Sequence, residues 1–284
     1  MAEPLTLMAV HAHPDDECLS TGGVLARLAR EGVRTVVVTA TRGEEGEIVD
    51  PQLAPLRPRL GEVRVQELLC ACKRLQVAAL YLLGYRDSGM AGTPANAHPA
   101  CLAQADLHEA TGRLVRLIRA VRPHVLICYD EQGGYGHPDH VRVNRITVAA
   151  FHAAGDLHRF PEIGPAPWQP RKLYYTAAPR SRVLLRYRLL QAMGLPTPLE
   201  RPDFDPTRVG TPDAQITTRV DIRPFLESKL AALRCHRSQI APDYWFLRLP
   251  DEVRREHFGE ECFVRVASHV PVAASEDDLF AGLR

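Results

Sequence analysis

Short runs of apolar and β-branched residues alternate with longer segments of helical period along the first half of the chain. This alternation is typical of a parallel sheet with helices packed on its faces. Gly32 and Pro123 end two of the helices. We predict the α/β class, with a Rossmann-like, mostly parallel sheet and helices on both faces. The predicted strands are Leu5–Val10, Thr35–Thr41, Ala79–Leu83 and His124–Tyr129, and the predicted helices are Leu19–Glu31, Gly61–Leu75 and Ala105–Val121.

The pattern loosens after Ala153, where many prolines interrupt the chain. We expect residues 275–284, which are polar, to fray. The sequence therefore predicts an α/β catalytic core over residues 1–155 and a C-terminal elaboration over residues 156–284 that completes the pocket, together one compact domain. The elements predicted in this second part are the strands Lys172–Ala177 and Cys262–Ala267 and the helices Arg182–Met193 and Phe225–His236.

Charge and cysteine usage exclude several classes of partner. The 284 residues include 35 basic and 34 acidic ones, interspersed to a formal net charge of +1, so no basic face indicates nucleic acid or an anionic membrane. The apolar run Leu5–Val10 is too short to span a bilayer, and no cleavage site follows it. The seven scattered cysteines argue against a secreted disulfide framework and favour a reducing cytoplasm. A small, roughly neutral ligand is the better expectation.

Two polar clusters directly follow two of the predicted strands. They are His11-Ala12-His13-Pro14-Asp15-Asp16-Glu17 and Gly133-Gly134-Tyr135-Gly136-His137-Pro138-Asp139-His140. Open α/β sheets place their ligand sites at the carboxyl ends of strands, so we expect the two clusters to converge. Imidazole nitrogens and one carboxylate from distant segments form a three-ligand site with a position left for water, which is the catalytic arrangement of zinc.

These clusters carry a resemblance to a known family. The chain resembles the PIG-L/LmbE-like zinc N-deacetylases, and within them the mycothiol-type branch, which contains an N-acetylglucosaminyl-inositol deacetylase and a mycothiol S-conjugate amidase. The likeness covers most of the chain. Besides the two clusters, it is carried by Gly43-Glu44-Glu45-Gly46-Glu47, Asp87-Ser88-Gly89-Met90 and Tyr129-Asp130.

The resemblance implies a role for each residue of the two clusters. It implies metal ligation by His13, Asp16 and His140, with zinc as the metal and iron(II) as an alternative, because nitrogen and oxygen ligands discriminate weakly between them. Asp15 becomes the general base; spacing alone does not distinguish Asp15 from Asp16. His137 would steady the oxyanion, and either His137 as imidazolium or protonated Asp15 would return a proton to the amine. The other implied residues are Tyr135, a mobile residue over the carbonyl, and Asp139, which could orient a histidine or cap its loop.

The resemblance also concerns the substrate contacts and the branch of the family. The positions that match sugar-binding residues are Glu47, Arg64 and Asp87, and an exposed salt bridge is the alternative for each; for Arg64 it would involve Glu62 or Glu67. Ser20 and Gly136 are deacetylase-like. Three segments resemble the amidase branch instead: Gly155-Asp156, Arg159-Phe160-Pro161 and Lys172-Leu173-Tyr174-Tyr175.

We therefore expect metal-dependent hydrolysis of an amide bond, most simply N-deacetylation of a small amino sugar, an N-acetylglucosaminide, in low-molecular-weight thiol biosynthesis. The alternatives are an S-conjugate amidase and a metal-binding module without turnover, although Asp15 and His137 are not needed for ligation alone. A dinucleotide site is disfavoured, because Thr21-Gly22-Gly23-Val24 lacks the G-x-G-x-x-G spacing. The oligomeric state stays open.

Overall fold

The computed structural model describes residues 4–284, which form a seven-stranded sheet flanked by helices. The strands are β1 (Thr6–His11), β2 (Arg34–Thr41), β3 (Ala79–Tyr85), β4 (Val125–Cys128), β5 (Lys172–Ala177), β6 (Thr218–Asp221) and β7 (Glu260–Ser268). The helices are α1 (Asp16–Arg30), α2 (Leu60–Arg74), α3 (Leu107–Val121), α4 (Gly133–Gly136), α5 (Pro138–Ala153), α6 (Arg180–Ala192), α7 (Leu226–Leu233), α8 (Trp245–Arg248) and α9 (Asp251–Phe258).

The sheet has the order β3-β2-β1-β4-β5-β7-β6. The neighbours from β3 to β5 pair in parallel, whereas β7 pairs antiparallel with both β5 and β6. Every residue of β1 is buried, as expected of a central strand covered on both faces. The predicted mostly parallel α/β sheet is confirmed.

Helices cover both faces of the sheet and bury two separate apolar clusters. On one face, α1, α2 and α7 pack against alternate residues of β1 such as Leu7 and Ala9. On the other face, α3 and α5 pack against Met8 and Val10. Because successive strand residues point to opposite faces, one apolar strand supplies both clusters. The strand is therefore held rigidly on both sides, and its carboxyl end, where the first polar cluster begins, is held with it.

The structure contains elements that the hydrophobic pattern did not predict. The longest is α5, which begins at Pro138 inside the second polar cluster; proline suits the first helical turn because its missing N–H would have no partner there. The short edge strand β6 and the helix α9 were also not predicted. The helix α1 begins at Asp16 rather than Leu19, so the first cluster runs directly into a helix.

The prediction of a frayed C-terminus is wrong. Leu279 and Phe280 are buried in the cluster that covers one face of the sheet. Glu276 is buried as well and accepts hydrogen bonds from Lys172 Nζ at 2.7 Å and from the Tyr174 hydroxyl at 2.8 Å. A buried carboxylate that is paired in this way ties the tail to β5.

The structure joins Cys70 on α2 to Cys235 just after α7 by a disulfide, a single pairing that the sequence analysis did not predict. Sequence spacing did not indicate the pairing, since 165 positions separate the two residues. The other five cysteines are free and buried. None of the helices found among residues 4–284 is long and apolar enough to cross a membrane.

Candidate active site

The two polar clusters meet at the carboxyl edge of the sheet, as their positions after β1 and β4 predicted. In the first cluster, Asp15 caps α1 and adopts a left-handed backbone conformation with φ 113° and ψ −29°. In the second cluster, His137 caps α5, and its Nδ1 accepts a hydrogen bond from the Asp139 N–H at 3.1 Å. Two helix starts therefore present their side chains to one space.

Three donor atoms form a nearly equilateral triangle in this space. The distances are 3.4 Å between His13 Nδ1 and Asp16 Oδ2, 3.5 Å between His140 Nε2 and Asp16 Oδ2, and 3.3 Å between the two histidine nitrogens. Ligands of a tetrahedral zinc ion lie about 2.0–2.2 Å from it, which separates them from one another by about 3.3–3.5 Å. The spacing of these atoms therefore fits a single zinc-sized ion.

Two other donor sets that include His13 are also compact enough to hold an ion. They are His13 with His137 and His140, and His13 with Asp87, His137 and Asp139. The second set lies on the other nitrogen of His13, because His13 Nε2 is 3.1 Å from Asp139 and 3.5 Å from Asp87. We favour the Nδ1 side, since a ligating histidine commonly donates its other N–H to a carboxylate, and Asp139 is placed to accept it.

Asp139 and Tyr129 hold the donor atoms in place. Asp139 is completely buried and accepts hydrogen bonds from the Ser88 N–H, at 3.0 Å, and from the Ser88 hydroxyl. The Tyr129 hydroxyl donates to Asp16 Oδ2 at 2.7 Å, and its ring stacks on His140 with 4.0 Å between centroids. Sequence reasoning gave Tyr129 and Ser88 no role; the available signal was the position of Tyr129 immediately after β4.

The adjacent carboxyls Asp15 and Asp16 differ in acidity. Burial alone would raise the pKa of Asp16, but His140 and His13 outweigh it and hold that pKa well below its usual range. Burial raises the pKa of Asp15 to about 6; Arg64 opposes the shift, and the charge of Asp16 adds to it. The result is one carboxylate that stays ionised and one that can gain or lose a proton near neutral pH.

Arg64 is buried, contrary to the alternative of an exposed salt bridge. Its Nη2 donates to the Pro14 carbonyl at 2.6 Å and lies 3.3 Å from Asp15 Oδ2, while its Nη1 donates to the Gly43 carbonyl at 2.8 Å. Gly43 has φ 69°, and a Cβ there would lie 2.3 Å from Arg64 Nη1. A glycine is needed at that position both for the backbone conformation and for the approach of the guanidinium.

The remaining predicted residues lie at different depths. Asp87 is buried; burial would raise its pKa, but the hydrogen bonds from His13, Gly89 and Glu45 lower it. Glu47 is exposed on the loop after β2, and its carbonyl accepts from Gln239 Nε2 at 2.9 Å. Tyr135 is 67% exposed, with its ring centroid 5.0 Å from that of His140. The structure therefore brings Asp87 and Tyr135 to the donor cluster, but not Glu47.

His137 is held as a neutral hydrogen-bond donor. Burial and the charge of His13 lower the pKa of His137 to about 4. Its Nδ1 already accepts the Asp139 N–H, so a neutral ring carries its hydrogen on Nε2. The ring lies edge-on to His13, with 4.5 Å between centroids. A fixed N–H donor therefore faces the space beside the triangle.

A cavity of about 430 Å³ is lined by Ser20 of α1 and by Gly134, in the turn that also carries Tyr135 and His137; the three donor residues do not line it. Its wall combines aromatic and arginine side chains from the C-terminal part of the chain. These include Arg182, Arg186, Arg208, Tyr244, Trp245, Phe246 and Phe258. The cavity is therefore formed largely by residues after 156 and reaches the second polar cluster at Gly134.

Comparison with known proteins gives close relatives. The PIG-L family model, described as GlcNAc-PI de-N-acetylase, matches residues 8–151. The 1D-myo-inositol 2-acetamido-2-deoxy-alpha-D-glucopyranoside deacetylase of Acidothermus cellulolyticus is 44% identical over 289 residues, covering 98% of this chain and 95% of the relative. The protein of the same name from Thermobifida fusca is 42% identical over 287 residues, covering 97% of this chain and 98% of the relative.

A solved structure shares the fold at lower identity. It is the N,N'-diacetylchitobiose deacetylase from Pyrococcus horikoshii, with a TM-score of 0.63 and 21% identity, covering 92% of this chain and 83% of that one. At that identity the likeness concerns the fold alone. The sheet and its flanking helices are therefore shared with a solved protein.

Proposed function

This chain belongs to the PIG-L family, and we propose that it is a metal-dependent N-deacetylase acting on 1D-myo-inositol 2-acetamido-2-deoxy-α-D-glucopyranoside or a closely related N-acetylglucosaminide. One observation carries the proposal. The triangle of His13, Asp16 and His140 donors has the spacing of three zinc ligands, and the preceding residue Asp15 adds a carboxyl that ligation does not need, with a pKa raised by burial and by the charge of Asp16. A binding module would not require that second carboxyl.

His13 Nδ1, Asp16 and His140 Nε2 would hold the metal. The low pKa of Asp16 supports this role, because the carboxylate is ionised and ready to ligate. Zinc suits two nitrogens and one oxygen, and iron(II) is the alternative. When bound, such an ion supplies Lewis-acid activation of water and of the amide carbonyl. Asp139 and the Gly133 carbonyl, which lies 3.2 Å from His140 Nδ1, orient the two rings.

Asp15 is the proton carrier of the proposed reaction. Amide hydrolysis needs a base to take the proton of the attacking water and an acid to protonate the departing nitrogen. A pKa of about 6 leaves Asp15 mostly ionised at neutral pH, yet close enough to that pH to hold the transferred proton and return it. Arg64 binds the Asp15 carboxylate and the preceding carbonyl, which fixes the direction of the base.

His137 acts in this scheme as a neutral donor to the developing oxyanion. With a pKa near 4 it carries no charge at neutral pH, so the imidazolium role considered from the sequence is disfavoured, and protonated Asp15 is left as the acid. Nε2–H is its free donor, as an oxyanion contact requires. Tyr135 is exposed beside His140 and can approach the same oxygen.

The substrate contacts stay proposals of unequal strength. Asp87 lies within 3.5 Å of His13 Nε2, so it stands at the site, and its two oxygens already accept main-chain N–H groups. The contacts of Arg64 with Asp15 and the loops explain its burial without a sugar. Glu47 is exposed and free to meet a ligand. We propose that residues 156–284 complete the pocket, because they form most of the cavity wall.

An amine-release assay tests the function. The zinc-loaded protein is offered the inositol glycoside, free N-acetylglucosamine, the malate glycoside and a cysteine-containing S-conjugate. We expect amine and acetate in equal amounts from the inositol glycoside, and slower release from the free sugar. Turnover of the S-conjugate alone would favour the amidase. No amine from any of the four, with one metal bound per chain, would overturn the proposal and leave a binding module.

A further inference from the structure

Asp15 has an unusual backbone conformation for the residue that it is. Its φ of 113° lies beyond the small left-handed region that side chains tolerate, near 50–70°, whereas Gln76, Arg122 and Phe160 lie close to it, at 53–58°. Such a conformation persists only where neighbouring groups impose it. Glycine cannot replace Asp15 at this position, because the proposed chemistry needs the carboxyl group. Something in the fold must therefore hold this peptide.

Glu17 makes the contact that holds it. Its Oε2 accepts a hydrogen bond from the Asp15 N–H at 2.9 Å, and its Oε1 lies 2.8 Å from His236 Nε2. Cys18 Sγ donates to the same Oε1, also at 2.8 Å. Glu17 and His236 are both completely buried. The carboxylate thus joins the Asp15 peptide on one side to a histidine 219 positions away on the other.

We propose that His236 is a positioning residue for the base: through Glu17 it holds the Asp15 peptide in the left-handed conformation that directs the Asp15 carboxyl at the substrate. This inference rests on the proposed function, in which Asp15 is the base. A buried carboxylate needs a partner for its charge, and His236 Nε2 supplies one while leaving the second oxygen for the Asp15 N–H. Without His236, Glu17 must seek water or another donor, and the Asp15 N–H loses its fixed acceptor.

His236 is itself held against the helix that carries Arg64. The Ser238 N–H donates to Glu67 Oε1 at 2.7 Å, and the Ser238 hydroxyl donates to Glu67 Oε2 at 2.6 Å. The disulfide to Cys70 attaches the same segment to α2. Asp15 is consequently clamped from two directions, by Arg64 at its carboxylate and by Glu17 at its N–H. The second contact, between Glu17 and the Asp15 N–H, depends on the segment that follows α7.

The tautomer of His236 agrees with this role. Its Nδ1 is buried without a hydrogen-bond partner, so a hydrogen there would be a buried, unpaired donor. Burial would lower the pKa of His236, but the charge of Glu17 and the hydrogen bond to it raise that pKa; in either protonation state, Nε2 carries the hydrogen that is donated to Glu17. A side chain at position 236 that donates a hydrogen bond to Glu17 should therefore hold the Asp15 peptide, whereas a side chain without a donor should not.

The variants follow from that distinction. His236→Phe keeps the ring volume but has no hydrogen-bond donor, whereas His236→Gln keeps a donor. If His236→Phe does not fold, His236→Asn replaces it, because asparagine is polar but too short to reach Glu17. We expect kcat to fall about tenfold or more in His236→Phe, with KM within about twofold and metal content unchanged, and to recover in His236→Gln. Tyr174→Phe is the matched control: it also removes a donor to a buried glutamate, Glu276, where the C-terminal tail is tied to β5, and it should change kcat less than about twofold.

A double-mutant cycle separates positioning from general stability. If His236 acts through the base, His236→Phe costs less than about twofold in an Asp15→Asn background, because no base is left to position. An equal loss in both backgrounds, or an equal loss in Tyr174→Phe, overturns the proposal. A third readout is independent of turnover: amide exchange of Asp15 in the zinc-loaded protein should accelerate about tenfold or more in His236→Phe and stay slow in His236→Gln. If the wild-type protein lacks deacetylase activity, the proposed function is wrong, but the amide exchange of Asp15 still tests the positioning role. Unchanged protection of the Asp15 amide in His236→Phe overturns that role.

Discussion

The parallel and antiparallel parts of the sheet differ in how their residues reach the site. In the parallel part, β1 and β4 are each followed by a turn and a helix, so the polar residues after them share one edge of the sheet. In the antiparallel part, β7 and β6 pair with distant segments, and their residues contribute by packing against helices of the first part. Local sequence is thus sufficient to place the proposed ligands, whereas the groups that fix them depend on long-range pairing.

Glu261 on β7 illustrates the second kind of contribution. Its carboxylate accepts the N–H groups of Gly23 and Val24 in α1, each at 2.8 Å, and pairs with Lys229 of α7 at 2.7 Å. A strand from the antiparallel part therefore holds the helix that begins at Asp16. The two parts of the sheet accordingly differ: the proposed reacting groups all follow strands of the parallel part, and the antiparallel part adds contacts that hold the helix beginning at Asp16.

The largest expected effect belongs to the parallel part. His140→Ala removes one corner of the donor triangle, so bound metal should fall from about one per chain to near zero, and turnover with it. His152→Ala, on the exposed side of the same helix, is the control and should keep both. Elemental analysis beside the amine assay measures the effect. Full metal content in His140→Ala would place the ion elsewhere.

The next effect distinguishes the adjacent aspartates. Asp15→Asn should keep its metal and lose about 10²–10⁴-fold in turnover, because the amide cannot accept the proton of water. Asp16→Asn should lose metal affinity first. Kinetics and metal content are measured on the same samples. If Asp15→Asn sheds metal while Asp16→Asn stays loaded and active, the two roles are reversed.

A stability measurement tests the antiparallel part. Phe280 is completely buried, so Phe280→Ala should lower the free energy of unfolding by about 3–5 kcal/mol. Val272→Ala, at an exposed position in the same tail, should cost less than about 0.5 kcal/mol. Denaturant unfolding measures both. Equal, small effects would mean that the tail frays after all, as the sequence suggested.

The smallest effect is the pH dependence. Asp15 must be ionised to act as a base, so kcat/KM should fall about tenfold per pH unit below its pKa of about 6 and be flat above it. A bound dication can only lower that pKa, so the midpoint lies at or below about 6. His137, with a pKa near 4, adds no loss as pH rises from about 6.5 to about 8. A loss in that range, at constant metal loading, would restore the imidazolium role.

The hydrophobic pattern predicted the strands and helices whose signal lies within a short stretch of the sequence. The bounds of β5 match the predicted Lys172–Ala177, and the strands β1 to β4 differ from prediction by one or two residues at their ends. The helix α5 was not predicted, because its first residues carry chemistry and read as a loop. The strand β6 has four residues and exists only because β7 pairs with it.

The candidate site divides in the same way. Two clusters after two strands indicated where a metal site would lie, and the family resemblance implied His13, Asp16 and His140 as its ligands. No spacing rule relates Glu17 to His236 or Cys70 to Cys235. The role of Asp139 was predicted in part. The sequence indicated that it could orient a histidine, and the structure places it against His13, 126 positions away, rather than against a neighbour in its own cluster.

The location of the metal tests the account most directly, because three donor sets share His13. Anomalous diffraction at the zinc edge from crystals of the zinc-loaded protein would locate the ion. We predict one peak about 2.0–2.2 Å from His13 Nδ1, His140 Nε2 and an Asp16 oxygen, with Asp15 within reach of the open position. A peak on the other side of His13, bound through Nε2 together with Asp87 or Asp139, would contradict the assignment and remove Asp15 from the role of base.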